Sequence, residues 1–239
     1  MLTATFQNVA PPLPGEFTRA VAAGDIEKVE RLLARGAKLD QKDKEDNTAL
    51  IIAARTGNLA MAQLLIEKGA RLNEQNESGD TALILAARDG RLDMVQLLAD
   101  SGADLNIRNH LGNSALLRSV VNKQGEVAEF LIEQGAMVND RNLGGNTALI
   151  YACDDGMADT ALLLLEKGAR HDARNRNNKT ALCFAKQKGH KGIEEMLETV
   201  IKEHKVLAVA VEEKVIDDLL YAQNRRSLAA ARPTAPAKP

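Results

Sequence analysis

The chain has 239 residues, of which 45% are hydrophobic, 3% aromatic and 27% charged, and its formal net charge is −2 at pH 7. A chain of this charge has no overall basic field, which argues against nucleic acid or an anionic membrane surface as its partner. No apolar run in the sequence approaches the length that a membrane-spanning helix needs.

Residues 1–13 are rich in proline and show no periodicity, which predicts an extended N-terminal arm. The sequence does not begin with a basic segment followed by an apolar core, so no signal peptide is visible. We therefore expect a cytoplasmic protein. The alternative is a periplasmic or secreted protein from which a signal peptide has already been removed.

From about residue 14 to residue 204 the sequence repeats itself every 33 residues. One position is always Thr or Ser, and the list is Thr48, Thr81, Ser114, Thr147 and Thr180. A Gly-Ala pair recurs with its glycine at Gly36, Gly69, Gly102, Gly135 and Gly168. A leucine position extends the series to six copies, at Leu32, Leu65, Leu98, Leu131, Leu164 and Leu197. A fixed period of this length indicates a stacked-repeat protein.

Residues 79–110 show what one repeat contains. Thr81 can cap a helix by accepting a hydrogen bond from a free backbone N–H, and the small apolar residues after it predict a short first helix that Gly90 ends. Residues 92–98 carry apolar side chains at helical spacing, which predicts a second helix that ends at Gly102. The polar stretch 104–112 that follows suits a projecting, hairpin-like turn.

The residues G-D-T-A-L-I-L-A-A at 79–87, followed by Gly90, Leu97-Leu98 and Gly102-Ala103, resemble the ankyrin repeat. The resemblance covers about residues 14–202. It implies an all-α solenoid of stacked helix-turn-helix units with projecting loops. The proline of the family pattern is Ala at positions 49, 82, 115, 148 and 181, and its histidine is aliphatic or Cys183. The fold is therefore expected, but the partner does not follow from the resemblance.

Repeat four departs from the others between its two helices. Lys123 stands where four other repeats have a glycine, at Gly57, Gly90, Gly156 and Gly189, and Gly125 lies two residues later. We expect a slightly longer first helix with a shifted break. The alternative is a bend in the stack or a contact point.

The pattern changes again at the C-terminal end. Residues 205–222 carry apolar side chains at helical spacing and predict a C-terminal helix that caps the array, because an uncapped end would expose apolar surface. The alternative is a helix that protrudes and docks on a partner. Residues 223–239 form a tail biased in Ala and Pro.

The sequence gives little support for catalysis or metal binding. It contains no phosphate loop, dinucleotide loop, G-x-S-x-G or H-E-x-x-H motif. Cys153 and Cys183 occupy small, core-facing positions of the repeat, so we expect two reduced residues that serve in the core. The alternative is a disulfide bridge or a redox role. Metal binding needs more ligands than these two, and the four histidines are scattered. We expect no enzyme, no cofactor and no metal.

The resemblance implies that a partner protein contacts the loop tips and the exposed positions of the first helices, which line a concave face. These positions include Ile52 and Leu85 in repeats two and three, and Leu111 and Leu143 at later loop tips. The partner-binding residues that we select are Arg108, His110, Arg118, Arg141, Tyr151, Asp154, Asp155, Arg174, Arg176 and Phe184.

Two periodic series stand out among the selected residues. Arg108, Arg141 and Arg174 share one loop position and predict a ladder of arginines along one edge; the alternative is that each folds back onto neighbouring carbonyls or carboxylates. A second series, Arg118, Tyr151 and Phe184, shares one position of the first helix. Arg and Tyr are enriched among the residues that dominate binding energy.

We therefore predict a non-catalytic, monomeric protein-binding module whose partner presents an acidic and partly apolar patch. The alternative is a dedicated inhibitor or immunity-type protein that blocks a partner enzyme, for example a hydrolase of the producing bacterium. Neither nucleic acid nor a membrane span is expected.

Overall fold

A computed structural model describes residues 12–13 and 15–206. It contains these helices: α1 (Glu16–Ala22), α2 (Ile26–Ala34), α3 (Ala49–Thr56), α4 (Leu59–Glu67), α5 (Ala82–Arg88), α6 (Leu92–Asp100), α7 (Ala115–Val121), α8 (Gly125–Glu133), α9 (Ala148–Asp155), α10 (Ala158–Glu166) and α11 (Ala181–Lys188). Residues 191–206 are also helical, up to the last described residue. The described residues contain no strand beyond one isolated antiparallel bridge between Lys42 and Thr48.

The helices form two layers, as the sequence predicts. The first helices of the repeats stack in the order α1, α3, α5, α7, α9, α11, and the second helices α4, α6, α8 and α10 stack behind them. The buried leucine series lies in the second helices, where Leu65, Leu98, Leu131 and Leu164 are fully buried. Each repeat therefore buries its apolar face against its neighbours, which is how a repeat array obtains a core.

The predicted caps set where the first helices begin. The hydroxyls of Thr48, Thr81, Ser114 and Thr147 each accept a hydrogen bond from the backbone N–H three residues later, at 3.4, 3.2, 3.4 and 3.3 Å. Thr180 makes no such bond and instead donates to the sulfur of Cys183 at 3.4 Å. The helix starts are thus a direct consequence of the 33-residue spacing of the hydroxyls.

The expectation of a longer first helix in repeat four is wrong. Helix α7 (Ala115–Val121) is seven residues long, as α5 is, and α8 begins 33 residues after α6. Lys123 itself adopts the left-handed conformation, with φ 59°, that Gly90 adopts with φ 69°. A non-glycine residue can occupy this region at a modest steric penalty, so the turn is kept without the glycine.

The two cysteines have different environments. Cys153 is fully buried, and burial raises the pKa of its thiol to about 12. The expectation of a core position is wrong for Cys183, which is exposed. The equivalent Ile51, Ile84 and Ile150 are buried because the first helix of a following repeat covers them, and among the described residues no such helix follows α11.

Several predicted segments lie outside the described residues. These are nearly all of the N-terminal arm (1–13), the C-terminal helix 205–222 apart from its first two residues, and the tail 223–239. The predicted domain boundaries stay predictions. None of the helices in the described part of the chain has the length and apolar character needed to cross a lipid bilayer.

Candidate functional site

Consecutive loops are joined at their tips by backbone hydrogen bonds. The N–H groups of Glu77, His110, Leu143 and Arg176 donate to the carbonyls of Glu45, Ser78, Leu111 and Gly144 at 3.0 to 3.1 Å. One backbone bond of this kind thus connects each of these loops to the preceding one. Because the loops are held in register, the side chains at their tips form a continuous edge along the array.

The arginine ladder is present, and its guanidinium groups bind backbone carbonyls of the loops. Nε of Arg108 donates to the carbonyl of Gly112 at 3.0 Å, and Nε of Arg141 donates to the carbonyl of Gly145 at 3.1 Å. Their Nη2 atoms donate to the carbonyls of Arg141 and Arg174, respectively, so each side chain spans two loops. This geometry favours the alternative in which the ladder braces the loops. Partner binding by these residues stays a prediction.

Removing the side chain of one ladder arginine should therefore lower the free energy of unfolding, with a smaller effect on the free energy of partner binding. We expect Arg141→Ala to reduce the free energy of unfolding by about 1 to 2 kcal/mol, because two carbonyls lose their donor. Urea unfolding followed by circular dichroism measures this. Arg71→Ala is the control, since Arg71 is largely exposed and only pairs with Glu74. A tenfold loss of partner affinity at unchanged stability would instead make Arg141 a binding residue.

The two aspartates at the end of α9 are paired within the chain. A carboxylate oxygen of Asp155 lies 2.8 Å from Nζ of Lys123, and one of Asp154 lies 3.4 Å from Nζ of Lys188. The hydrogen bond to Asp155 raises the pKa of Lys123. These carboxylates join repeats four, five and six, and each already has a cationic neighbour.

The position that Arg118, Tyr151 and Phe184 share on the first helices differs in burial among the repeats. Ile52 and Leu85 are 1% and 3% exposed, so the expectation that they offer contact surface is wrong: a short aliphatic side chain at this position ends inside the stack. The longer Arg118, Tyr151 and Phe184 are half-buried and reach the surface in part. We call these three residues the helix column. Repeat one carries the exposed Arg19 at the same position, so the buried aliphatic residues are confined to repeats two and three.

The helix column adjoins the loop edge. The hydroxyl of Tyr151 accepts hydrogen bonds from the side-chain amides of Asn142 at 2.9 Å and Asn146 at 3.1 Å, both in the loop that precedes α9. Nζ of Lys179 lies 5.5 Å from the centre of the Phe184 ring, a cation–π distance. The aromatic rings are therefore fixed in position against the loops.

Two exposed leucines lie at the loop tips beside the column. Leu111 is 59% exposed and Leu143 is 53% exposed, and the N–H of Leu143 donates to the carbonyl of Leu111 at 3.0 Å. His110 and Arg176 are exposed at neighbouring tips. In repeats two and three the corresponding tips carry Lys44, Glu45, Glu77 and Ser78. Leu111, Leu143, Arg176 and the helix column together are called the repeat 4–6 surface below.

A network of asparagines under the loops was not anticipated from the sequence. The side-chain amides of Asn76, Asn109 and Asn175 donate to Asn47, Asp80 and Asn146 of the preceding repeat at 2.9, 2.7 and 2.9 Å. Asn142 occupies the fourth equivalent position. Its side-chain amide donates to the hydroxyl of Tyr151, and no bond to the side chain of Asn113 is formed. The sequence does show that Asn recurs at this loop position every 33 residues, but the recurrence does not indicate which acceptor each side-chain amide binds.

The described residues contain no group of three His, Cys, Asp or Glu side chains placed to hold one metal ion. The arrangement instead offers aromatic, aliphatic and guanidinium groups on a rigid framework. Such groups are typical of the core of a protein interface.

Comparison with known proteins gives the family. A search of curated proteins found no match. A family model described as ankyrin repeats (3 copies) matches residues 17–109 and 102–175, which together make up more than half of the chain. Ankyrin repeats are generally protein–protein interaction modules and are typically non-catalytic. The chain belongs to the ankyrin repeat family.

Proposed function

We propose that this protein binds a partner protein through the repeat 4–6 surface. The observation that carries the proposal is the change at one helix position, from the buried Ile52 and Leu85 to the partly exposed Arg118, Tyr151 and Phe184. A buried aliphatic residue would serve the stack equally well in repeats four and five, where the first helix of a following repeat covers this position. Residues that reach the surface in their place contribute contact area and polar groups.

The chemistry of the surface indicates the chemistry of the partner. Leu111 and Leu143 supply exposed apolar area at adjacent tips, and Arg118 and Arg176 supply positive charge on the same surface. An acidic partner patch with an apolar centre complements this arrangement. Charge complementarity of this kind sets orientation and association rate, while the buried aromatic and aliphatic contacts set affinity.

The loop tips allow a matched test. We expect Leu111→Asp to weaken partner binding at least about tenfold, because it places a carboxylate in the apolar centre opposite an acidic patch. Ser78→Asp adds the same charge at the same loop position one repeat earlier, outside the repeat 4–6 surface, and should leave affinity unchanged. The partner is captured from a native lysate, identified by mass spectrometry and purified, and its affinity is measured by titration calorimetry. Equal effects of the two variants would refute the proposed surface.

Two mechanisms follow from such binding, an adaptor that brings proteins together and an inhibitor that blocks an enzyme, such as a hydrolase of a producing bacterium. The activity of the purified partner separates them. If the partner is an enzyme and saturating amounts of this protein abolish its turnover, the protein is an inhibitor. Turnover that continues in the complex indicates an adaptor.

A further inference from the structure

The stack of loops has an open edge at repeat one. In the four later loops, the N–H at the tip donates to a carbonyl of the preceding loop at 3.0 to 3.1 Å. Lys44 occupies this position in the first loop, and the same periodicity would pair its N–H with the carbonyl of Pro12. That bond is not formed, and the Lys44 N–H finds no other acceptor among the described residues. An unpaired backbone donor at such an edge is a template for an added chain.

A groove of about 590 Å³ lies beside this open edge. Residues 42–45 of the first loop line one part of it, and Gly15, Thr18 and Arg19 at the start of repeat one line the other. Its volume falls in the range of about 300 to 1,000 Å³ that is typical of ligand sites. The groove can therefore hold a short segment of chain, of which a single ion would fill only a small part.

The two carboxylates that line the groove are already paired within the array. The side-chain amide of Asn47 donates to Asp43 at 3.0 Å and to Glu45 at 3.1 Å. The guanidinium group of Arg55 lies 2.7 Å from a carboxylate oxygen of Glu45 and 3.8 Å from one of Asp43. These acidic groups are thus neutralised by their own repeat and do not balance the cations of the groove.

Two of the three cations in the groove have no acidic partner. Nζ of Lys42 lies 3.7 Å from a carboxylate oxygen of Glu74 and is paired. Arg19 uses its Nε to donate to the carbonyl of Gly15 at 3.0 Å, which leaves its two Nη atoms. Neither Arg19 nor Lys44 forms an ion pair with another described residue, and both side chains are exposed. The groove therefore offers one main-chain donor and two cationic side chains.

We propose that this groove binds an extended acidic peptide segment of a second ligand protein, separate from the partner of the repeat 4–6 surface. A main-chain carbonyl of the segment accepts from the Lys44 N–H, as a carbonyl of the preceding loop does in every later repeat. Carboxylates of the segment pair with Arg19 and Lys44. Side chains alternate along an extended chain, so acidic residues at every second position reach the same side. Addition of an extended peptide to an open edge is a recurrent mode of recognition.

Other segments of the same protein complement the groove less well. Residues 1–14 contain no Asp or Glu, so a carbonyl of that segment would satisfy the Lys44 N–H but leave the two cations without a counter-charge. A second copy that docked through its last loop would bring Arg174 and Arg176 toward the same cations, and like charges repel. Charge complementarity therefore favours an acidic segment of another protein.

Nuclear magnetic resonance on the full-length protein tests the site with a synthetic probe. The probe is acetyl-Glu-Val-Glu-Val-Glu-Val-amide, and its neutral counterpart is acetyl-Gln-Val-Gln-Val-Gln-Val-amide. We expect the acidic peptide to shift the Lys44 amide proton downfield and to slow its exchange with solvent. The neutral peptide should bind at least about tenfold more weakly, because it lacks the charges that pair with the two cations. The amide of Glu77, already bonded to the carbonyl of Glu45, is the internal control.

Charge-reversal variants locate the site. Lys44→Glu and Arg19→Glu should each weaken binding of the acidic peptide at least about tenfold. Lys38→Glu is the matched control, since Lys38 is exposed in the same repeat but does not line the groove, and it should leave the affinity within about twofold. Equal losses for Lys38→Glu and Lys44→Glu would overturn the proposal.

Three further results would also overturn it. A Lys44 amide that exchanges slowly in the free protein would show that the chain itself occupies the edge. Inorganic phosphate that shifts this amide as strongly as the acidic peptide would indicate a simple anion site. An amide signal unmoved by the acidic peptide would show that no strand is added there. The inference does not depend on the proposed function, and each of these results leaves the Leu111→Asp test of partner binding unaffected.

Discussion

Replacing the helix column with the aliphatic residues of the earlier repeats is expected to weaken partner binding strongly while leaving the fold intact. The variant is Arg118→Leu, Tyr151→Leu and Phe184→Leu, which gives repeats four to six the residue type of Leu85. Interface residues of this kind dominate binding energy, so we expect a loss of about 2 kcal/mol or more, roughly 30-fold in affinity. Calorimetric titration of the purified partner measures it.

The fold should tolerate this change because Leu85 shows that the position accepts leucine inside the stack, where it is 3% exposed. The free energy of unfolding should stay within about 1 kcal/mol of the wild-type value. Leu162→Gln is the matched control, since Leu162 is 46% exposed on α10 and the equivalent residues are Gln63 and Gln96. If the control weakens binding as much as the column variant does, the partner contacts the second helices and the proposed surface is wrong.

The largest effect on stability is expected at the leucine series of the second helices. Leu98→Ala removes a side chain that is fully buried between neighbouring repeats. Lost apolar burial and the cavity left behind should lower the free energy of unfolding by about 2 to 5 kcal/mol. Urea unfolding followed by circular dichroism measures this loss.

The exposed leucine of the same layer provides the comparison. Leu162→Ala changes the same side chain where it is 46% exposed, and we expect a loss below about 1 kcal/mol. A repeat array couples neighbouring repeats, so the Leu98 variant should also lose stability beyond repeat three. Equal losses for the two variants would contradict the placement of the core between the stacked repeats.

The sequence predicts the architecture well because the signals that define it are local and periodic. Thr81 and its equivalents begin the first helices, Gly102 and its equivalents adopt the left-handed conformation after the second, and both follow directly from the 33-residue period. The prediction for repeat four was wrong for a local reason as well. Lys123 takes the left-handed conformation itself, which the pattern of glycines does not reveal.

The candidate site is harder to predict because it depends on contacts between repeats. The sequence shows that Arg108 and Arg141 recur, but only the spacing of stacked loops shows that each can reach the carbonyl of the next loop. The same holds for Asp155, whose carboxylate meets Lys123 of the preceding repeat. Side chains that look free for a partner in the sequence can thus be engaged within the array, while Leu111 and Leu143 remain exposed.

Hydrogen–deuterium exchange of the protein with and without its purified partner tests the central claim most directly. The account predicts that binding protects peptides covering α7, α9 and α11 and the loop tips at residues 108–112, 141–145 and 174–178. Peptides covering α4, α6 and the first two repeats should exchange as they do in the free protein. Protection confined to the second helices, or to repeats one to three, would contradict the assignment of the repeat 4–6 surface as the binding surface.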